Sequence, residues 1–144
     1  MNTVIIIIIN IRKMENKFKN ANEAFKYYKQ QIPEYGIEFD DTQALFNVGF
    51  YLENPMDNLI EDQDRNWKWD YAEAEWQWYL SGDNNISKLG VTMRSNDLWY
   101  GFCNDQYCFS KLQELVATEV GLLVGSYYHF AHNLHLYDNI IEKL

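Results

Sequence analysis

The stretch SYYHFAHNLHLYD, residues 126–138, alternates residue types and contains neither proline nor glycine. A period of two marks a β-strand with unlike faces: Tyr128, Phe130, Leu134 and Leu136 fall on one side, and His129, Asn133, His135 and Tyr137 on the other. Upstream, from Asp105, the positions Cys108, Phe109, Leu112, Leu115, Val116 and Val120 recur at helical spacing and stop at Gly121. This predicts a helix that feeds the strand.

The same reading extends outward. TQALFNVGFYL (42–52) alternates, with Phe46, Val48, Phe50 and Leu52 on one face, and Lys88 to Leu98 also reads as a strand. Helical composition runs from about Ala21 to Gln31, with Asn20 placed to cap it and Pro33 and Gly36 to close it. A second helix is expected over Asp70–Leu80, terminated by SGD. Helices and strands alternate, so the expected fold class is α/β of the α+β type, a mixed β-sheet backed by helices.

With 144 residues and no low-complexity linker, one domain is expected over 20–144, preceded by an extension over 1–19. The run Val4–Ile9 reads as a strand or a start-site extension. It is too short to span a bilayer, and its basic residues follow the apolar run instead of preceding it as in a signal peptide. The net charge of −9 disfavours nucleic acid and anionic membrane surfaces as partners. Cys103 and Cys108 have neither zinc-site nor disulfide-framework spacing, so a cytoplasmic location is expected.

RSNDLWYGFCND (94–105) mixes hydrogen-bonding groups with aromatic surface, as pocket walls and exposed turns both do. Arg94 and Ser95 together suit a phosphate, although on two residues alone an ordinary surface pair is the better reading. Asn104 or Asp105 is placed to face a ligand, with helix capping the safer assignment. Alternation sets His132 opposite His129 and His135, which makes a three-histidine metal site awkward; no metal is expected. His135 and Tyr137, two apart on one face, suit a sugar hydroxyl. Glu75, in a tryptophan-rich helix, is a weak candidate for proton transfer. Cys103, at a helix N-terminus, is a conceivable nucleophile but better read as structural.

Two long segments resemble the thymidylate synthase and deoxycytidylate (dCMP) hydroxymethylase family. EWQWYLSGDNNISKL (75–89) is similar to the family's E-x-x-W-F-L-x-G-D-T-N-I-x-x-L. RSNDLWYG (94–101) is similar to R-S-x-D-x-x-x-G, and the later strand ends in the family's H-x-Y at His135 and Tyr137. The resemblance implies that Arg94 and Ser95 bind a nucleotide 5′-phosphate, that His135 and Tyr137 hold the deoxyribose 3′-hydroxyl, and that Glu75 organises water and protons. Asp97 and Gly101 would lie on the folate side. Counting forward from Gly101 without a gap, Asp105 occupies the base-reading position, where hydroxymethylases carry aspartate and synthases asparagine. A one-residue slip would put Asn104 there.

The departures are specific. Only four residues separate Leu89 from Arg94, where the family places its middle region with the nucleophilic cysteine in a Pro-Cys context. Asp41 does not match the arginine usual near the N-terminus. The resemblance therefore implies an internally shortened, phage-type member, in the host cytoplasm if phage-encoded, that binds a pyrimidine deoxynucleoside monophosphate, dCMP over dUMP, without catalysing alone. The alternatives are an active C5 one-carbon transferase using 5,10-methylenetetrahydrofolate, and a non-enzymatic module forming a homodimer or pairing with a full-length relative.

Overall fold

The computed structural model describes residues 16–81, 93–119 and 121–144; the Val4–Ile9 run and residues 88–92 of the expected strand lie outside them. The elements are β1 (Asn16–Phe18), α1 (Ala21–Tyr35), β2 (Ile37–Phe39), β3 (Thr42–Leu52), α2 (Trp69–Ser81), β4 (Asn96–Asp97), α3 (Cys103–Glu119), β5 (Tyr127–Tyr137) and α4 (Asp138–Ile141). They form a mixed sheet in the order β1-β3-β5-β4, with β2 paired to β3 and helices against it, as expected. Among the described residues no helix is long and apolar enough to cross a membrane.

α1 begins where expected. Asn20 Oδ1 accepts the Glu23 backbone N–H at 2.9 Å, satisfying a free donor of the first turn, and the Glu23 carboxylate reaches back to accept the N–H of Lys19, the residue before the cap, at 2.6 Å. The helix continues past Gln31 and through Pro33 because Ile32 is fully buried, and a proline in the last turn forfeits only one hydrogen bond. Gly36 then closes it, its N–H donating to the Ile32 carbonyl at 2.8 Å.

β3 and β5 pair antiparallel from Thr42↔Tyr137 to Leu52↔Tyr127 and form the spine of the sheet. Strict alternation does not hold along either strand. The apolar core takes Val48, Phe50 and Leu52 from one half of β3 but Leu45 from the other; from β5 it takes Tyr127 and Ala131, then Leu134 and Leu136. The change of face falls at Asn47, whose φ of 55° is left-handed, opposite His132. His129 therefore points into the core, and Tyr128, expected on the apolar side, is exposed.

That core gathers Phe25 and Ile32 of α1, Phe50 and Leu52 of β3, and Leu98 and Phe102 between β4 and α3. Burying such a side chain contributes about 1.5–3 kcal/mol each. A smaller cluster of Ala72, Trp76, Tyr107 and Cys108 joins α2 to α3.

Candidate functional site

The segment from Met93 to Asp105 brings the candidate residues together, although it is not the strand-then-capped-helix expected. Its strand is short: Asn96 and Asp97 pair in parallel with Leu134 and His135, and Met93 bridges to Ala131. At Leu98 the chain turns into a π-helical turn, Leu98–Phe102, which runs into α3 at Cys103. The cap is Asp97, whose Oδ1 accepts the Trp99 N–H at 2.8 Å. Asp105 and Asn104 thus lie inside the helix and do not cap it. Asn104 Oδ1 instead accepts the Trp67 indole N–H at 2.8 Å.

This register sets Ser95 Oγ 3.5 Å from His135 Nδ1, and Asn133 Oδ1 is 2.9 Å from the same nitrogen. Tyr137 follows on β5 with its ring perpendicular to the imidazole, centroids 5.4 Å apart. His135 is buried, whereas Arg94, Ser95 and Tyr137 are exposed. Arg94 forms no ion pair among the described residues.

Behind this surface lies a polar chain that pattern reading missed. Asn96 Nδ2 donates to Asp105 Oδ2 at 2.7 Å, His129 Nε2 is 3.0 Å from Asn96 Oδ1, and Tyr127 Oη is 3.0 Å from His129 Nδ1. Asn96 and His129 are fully buried, and His129 stacks on Phe50 with centroids 5.1 Å apart. The available signal was Tyr127 and His129 at the odd-numbered positions of β5, which face inward on their side of the change of face. Gly101 lies beside the chain: a Cβ there would come 3.2 Å from Asn96 Nδ2 and 3.3 Å from Asp105 Oδ2.

The electrostatics favour neutral groups here. Burial raises the Asp105 carboxyl to about 6 against the opposing Asn96 hydrogen bond, with the Glu75 and Asp97 charges adding to the rise. Burial also raises Asp97 and lowers the His129 imidazole to about 4. Glu75 is half-buried on α2, close enough for its charge to act on Asp105.

Cys103 is fully buried, its thiol pushed up to about 12 chiefly by burial, with Sγ 3.5 Å from the Trp99 carbonyl. That environment suits packing, not nucleophilic attack. Among the described residues no group of three or more His, Cys, Asp or Glu side chains is arranged to hold a metal. A cleft of about 450 Å³ flanks the site, lined by Arg65, Lys68, Trp67, Tyr71, Tyr100 and Asn104. The Arg65 guanidinium lies 5.6 Å from the Tyr100 ring centre, and its Nε donates to the Trp99 carbonyl. Nothing in the local pattern of the sequence had marked Arg65.

The chain was compared with known proteins. The chain is 36% identical over 56 residues to the thymidylate synthase of Symbiobacterium thermophilum, covering 39% of this chain and 20% of that protein. Over 62 residues it is 36% identical to that of Streptococcus thermophilus, covering 43% and 22%, and over 53 residues 36% identical to that of Streptococcus mutans, covering 37% and 19%. The matched part thus spans about a fifth of the length of these curated relatives. The family model described as thymidylate synthase matches residues 73–144, half of the chain, a span that contains Glu75, the Arg94–Asp105 segment and β5 with His135 and Tyr137. The chain belongs to the thymidylate synthase family.

Proposed function

We propose that this chain binds a pyrimidine deoxynucleoside monophosphate, with dCMP favoured over dUMP, and does not catalyse one-carbon transfer by itself. The observation that carries the reading is the approach of Ser95, of the R-S pair, to His135, of the H-x-Y pair on β5. Arg94 and Ser95 donate to the phosphate, Arg94 through its fork and Ser95 through its hydroxyl. His135 and Tyr137 hold the 3′-hydroxyl between imidazole and phenol. Asp105, protonated over part of the physiological range, offers a hydroxyl and a carbonyl to cytosine, and the Glu75 charge behind it favours that protonated form.

Catalysis needs a thiolate, and neither cysteine supplies one. Both are buried with thiols raised to about 12, and neither follows a proline. On the folate side, the Asp97 carboxylate accepts from the Trp99 and Tyr100 backbone, and Gly101 packs against Asn96 and Asp105. In this reading the chain is a shortened, hydroxymethylase-like, phage-type member acting in the cytoplasm.

The test is calorimetry with dCMP and dUMP. Saturable binding of dCMP that weakens in Arg94→Ala and His135→Ala is expected; heats indistinguishable from dilution at millimolar ligand sink the reading. A second reading, self-association or pairing with a full-length relative, is favoured by the outer sheet face, where Phe46 and Tyr128 are exposed. Size-exclusion chromatography separates the two, and a monomer that binds no relative removes the second.

A further inference from the structure

With the Asn96 amide oriented as it stands, the hydrogen bonds behind Asp105 run in one direction. Asn96 Nδ2 lies 2.7 Å from Asp105 Oδ2, so the amide turns its nitrogen to the carboxyl and its carbonyl to His129. His129 Nε2, facing that carbonyl at 3.0 Å, has to carry the proton. A neutral imidazole has one N–H, which leaves Nδ1 to accept the Tyr127 hydroxyl at 3.0 Å. Asn96 and His129 are 2% and 1% exposed, so water cannot substitute for either partner. Donation therefore runs Tyr127 to His129 to Asn96 to Asp105.

We propose that Asn96 and His129 are positioning residues for base selection, holding Asp105 Oδ2 as a pure acceptor so that the carboxyl proton resides on Oδ1. This rests on the nucleotide reading above and deepens it. A carboxyl free to exchange its proton between oxygens presents donor and acceptor in either order, and so matches cytosine or uracil equally. Fixed by Asn96, it presents one order only. With the acceptor towards the exocyclic group, that order takes the amino group and ring nitrogen of cytosine and opposes the carbonyl of uracil. The titratable groups around the carboxyl are Glu75 from α2, Asp97 from β4, Cys108 from α3 and Tyr127 from β5, none of which is a cation.

The experiment compares wild type, His129→Phe, His129→Gln and Asn96→Ala with dCMP, dUMP and deoxyribose 5-phosphate, the last as a probe without a base. Wild type is expected to prefer dCMP by about tenfold or more, equivalent to one hydrogen bond to a well-placed group. That preference should fall to within about threefold in His129→Phe and Asn96→Ala while deoxyribose 5-phosphate binds unchanged. His129→Gln should retain it, because its amide still donates towards Asn96. In the free protein, ¹⁵N NMR should find His129 as the Nε2–H tautomer, and ¹³C NMR should find the Asp105 midpoint raised in Asn96→Ala. Preference surviving in both variants, an Nδ1–H tautomer, or an unmoved Asp105 midpoint overturns the proposal. If wild type binds neither nucleotide, the nucleotide reading and base selection fall together. The two NMR readouts then decide separately whether the donor chain exists.

Discussion

Ser95 Oγ lies 3.5 Å from His135 Nδ1, joining two segments forty residues apart in sequence. The contact depends on the parallel pairing of a two-residue strand with β5, so the site is held by backbone register and not by the contact itself. Removing the hydroxyl should therefore leave the fold intact. Ser95→Ala is expected to weaken dCMP binding by about 10- to 100-fold, the size of one hydrogen bond to a charged phosphate, with no change in thermal midpoint. Calorimetry and a melting curve on the same sample check both halves.

Two buried groups give opposing pH dependences. The Asp105 carboxyl is raised to about 6, so the stability from its protonated form is full below the usual carboxylate range and is lost as pH rises towards 6. His129 is lowered to about 4, so its neutral form stabilises above the usual histidine value and that contribution is lost as pH falls towards 4. At about 1.4 kcal/mol per unit each effect is on the order of 3 kcal/mol, and between about pH 4 and 6 they largely cancel. Asp105→Asn removes one of them. Its stability relative to wild type should rise with pH over that window, which urea unfolding at stepped pH measures; parallel profiles would count against the assignment.

The Lys29 ammonium lies 3.0 Å from Asp62 Oδ2 and 2.6 Å from Asp64 Oδ2, with Lys29 and Asp62 largely buried. Burial pushes Asp62 up, but the Arg65 N–H and Lys29 outweigh it and hold the carboxyl below its usual range. This contribution is present above that range and lost as pH falls through the depressed value. Lys29→Met should cost about 1–3 kcal/mol near neutral pH, less than for a fully buried pair because Asp64 is exposed, and the deficit should shrink in acid. Denaturant midpoints at two pH values test it.

Cys103 and Cys108 should resist aromatic disulfide reagents in the native state, since both thiols are buried and raised to about 12. Reaction is expected only on unfolding. Prompt modification of one thiol under native conditions would reopen the nucleophilic role.

Gly101→Ala would bring its methyl within 3.2 Å of Asn96 Nδ2 and 3.3 Å of Asp105 Oδ2. Both side chains must yield by a few tenths of an ångström. We expect a folded variant, about 1 kcal/mol less stable, whose dCMP affinity falls more than its affinity for deoxyribose 5-phosphate. Equal losses for the two ligands would place the disturbance outside the base region.

The elements that local periodicity encodes were legible in the sequence: α1 with its Asn20 cap, β3, α2, the body of α3 and β5. What periodicity could not reach was set by tertiary contact. α1 runs through Pro33 because Ile32 is buried, and β4 stops at Asp97 because Leu98 is drawn into the core by a π-helical turn. Asp105 resembles a cap in one dimension, yet in space Asp97 has already taken that role and Asp105 faces Asn96. The motif residues Ser95, His135 and Tyr137 were identifiable by their likeness to a family, whereas His129 and Tyr127 were hidden by the reversal of sides within β5, and Asn96 by the shortness of β4.

The left-handed backbone at Asn47 divides the central strand pair into two stretches with opposite inward-facing sets. The stretch carrying Phe50 and His129 and the stretch carrying Leu134 and His135 thus obey separate alternation rules. Substitutions can accumulate in the first without changing which side chains the second turns outward. A single residue inserted at this hinge would turn the faces of one stretch over and leave those of the other as they are.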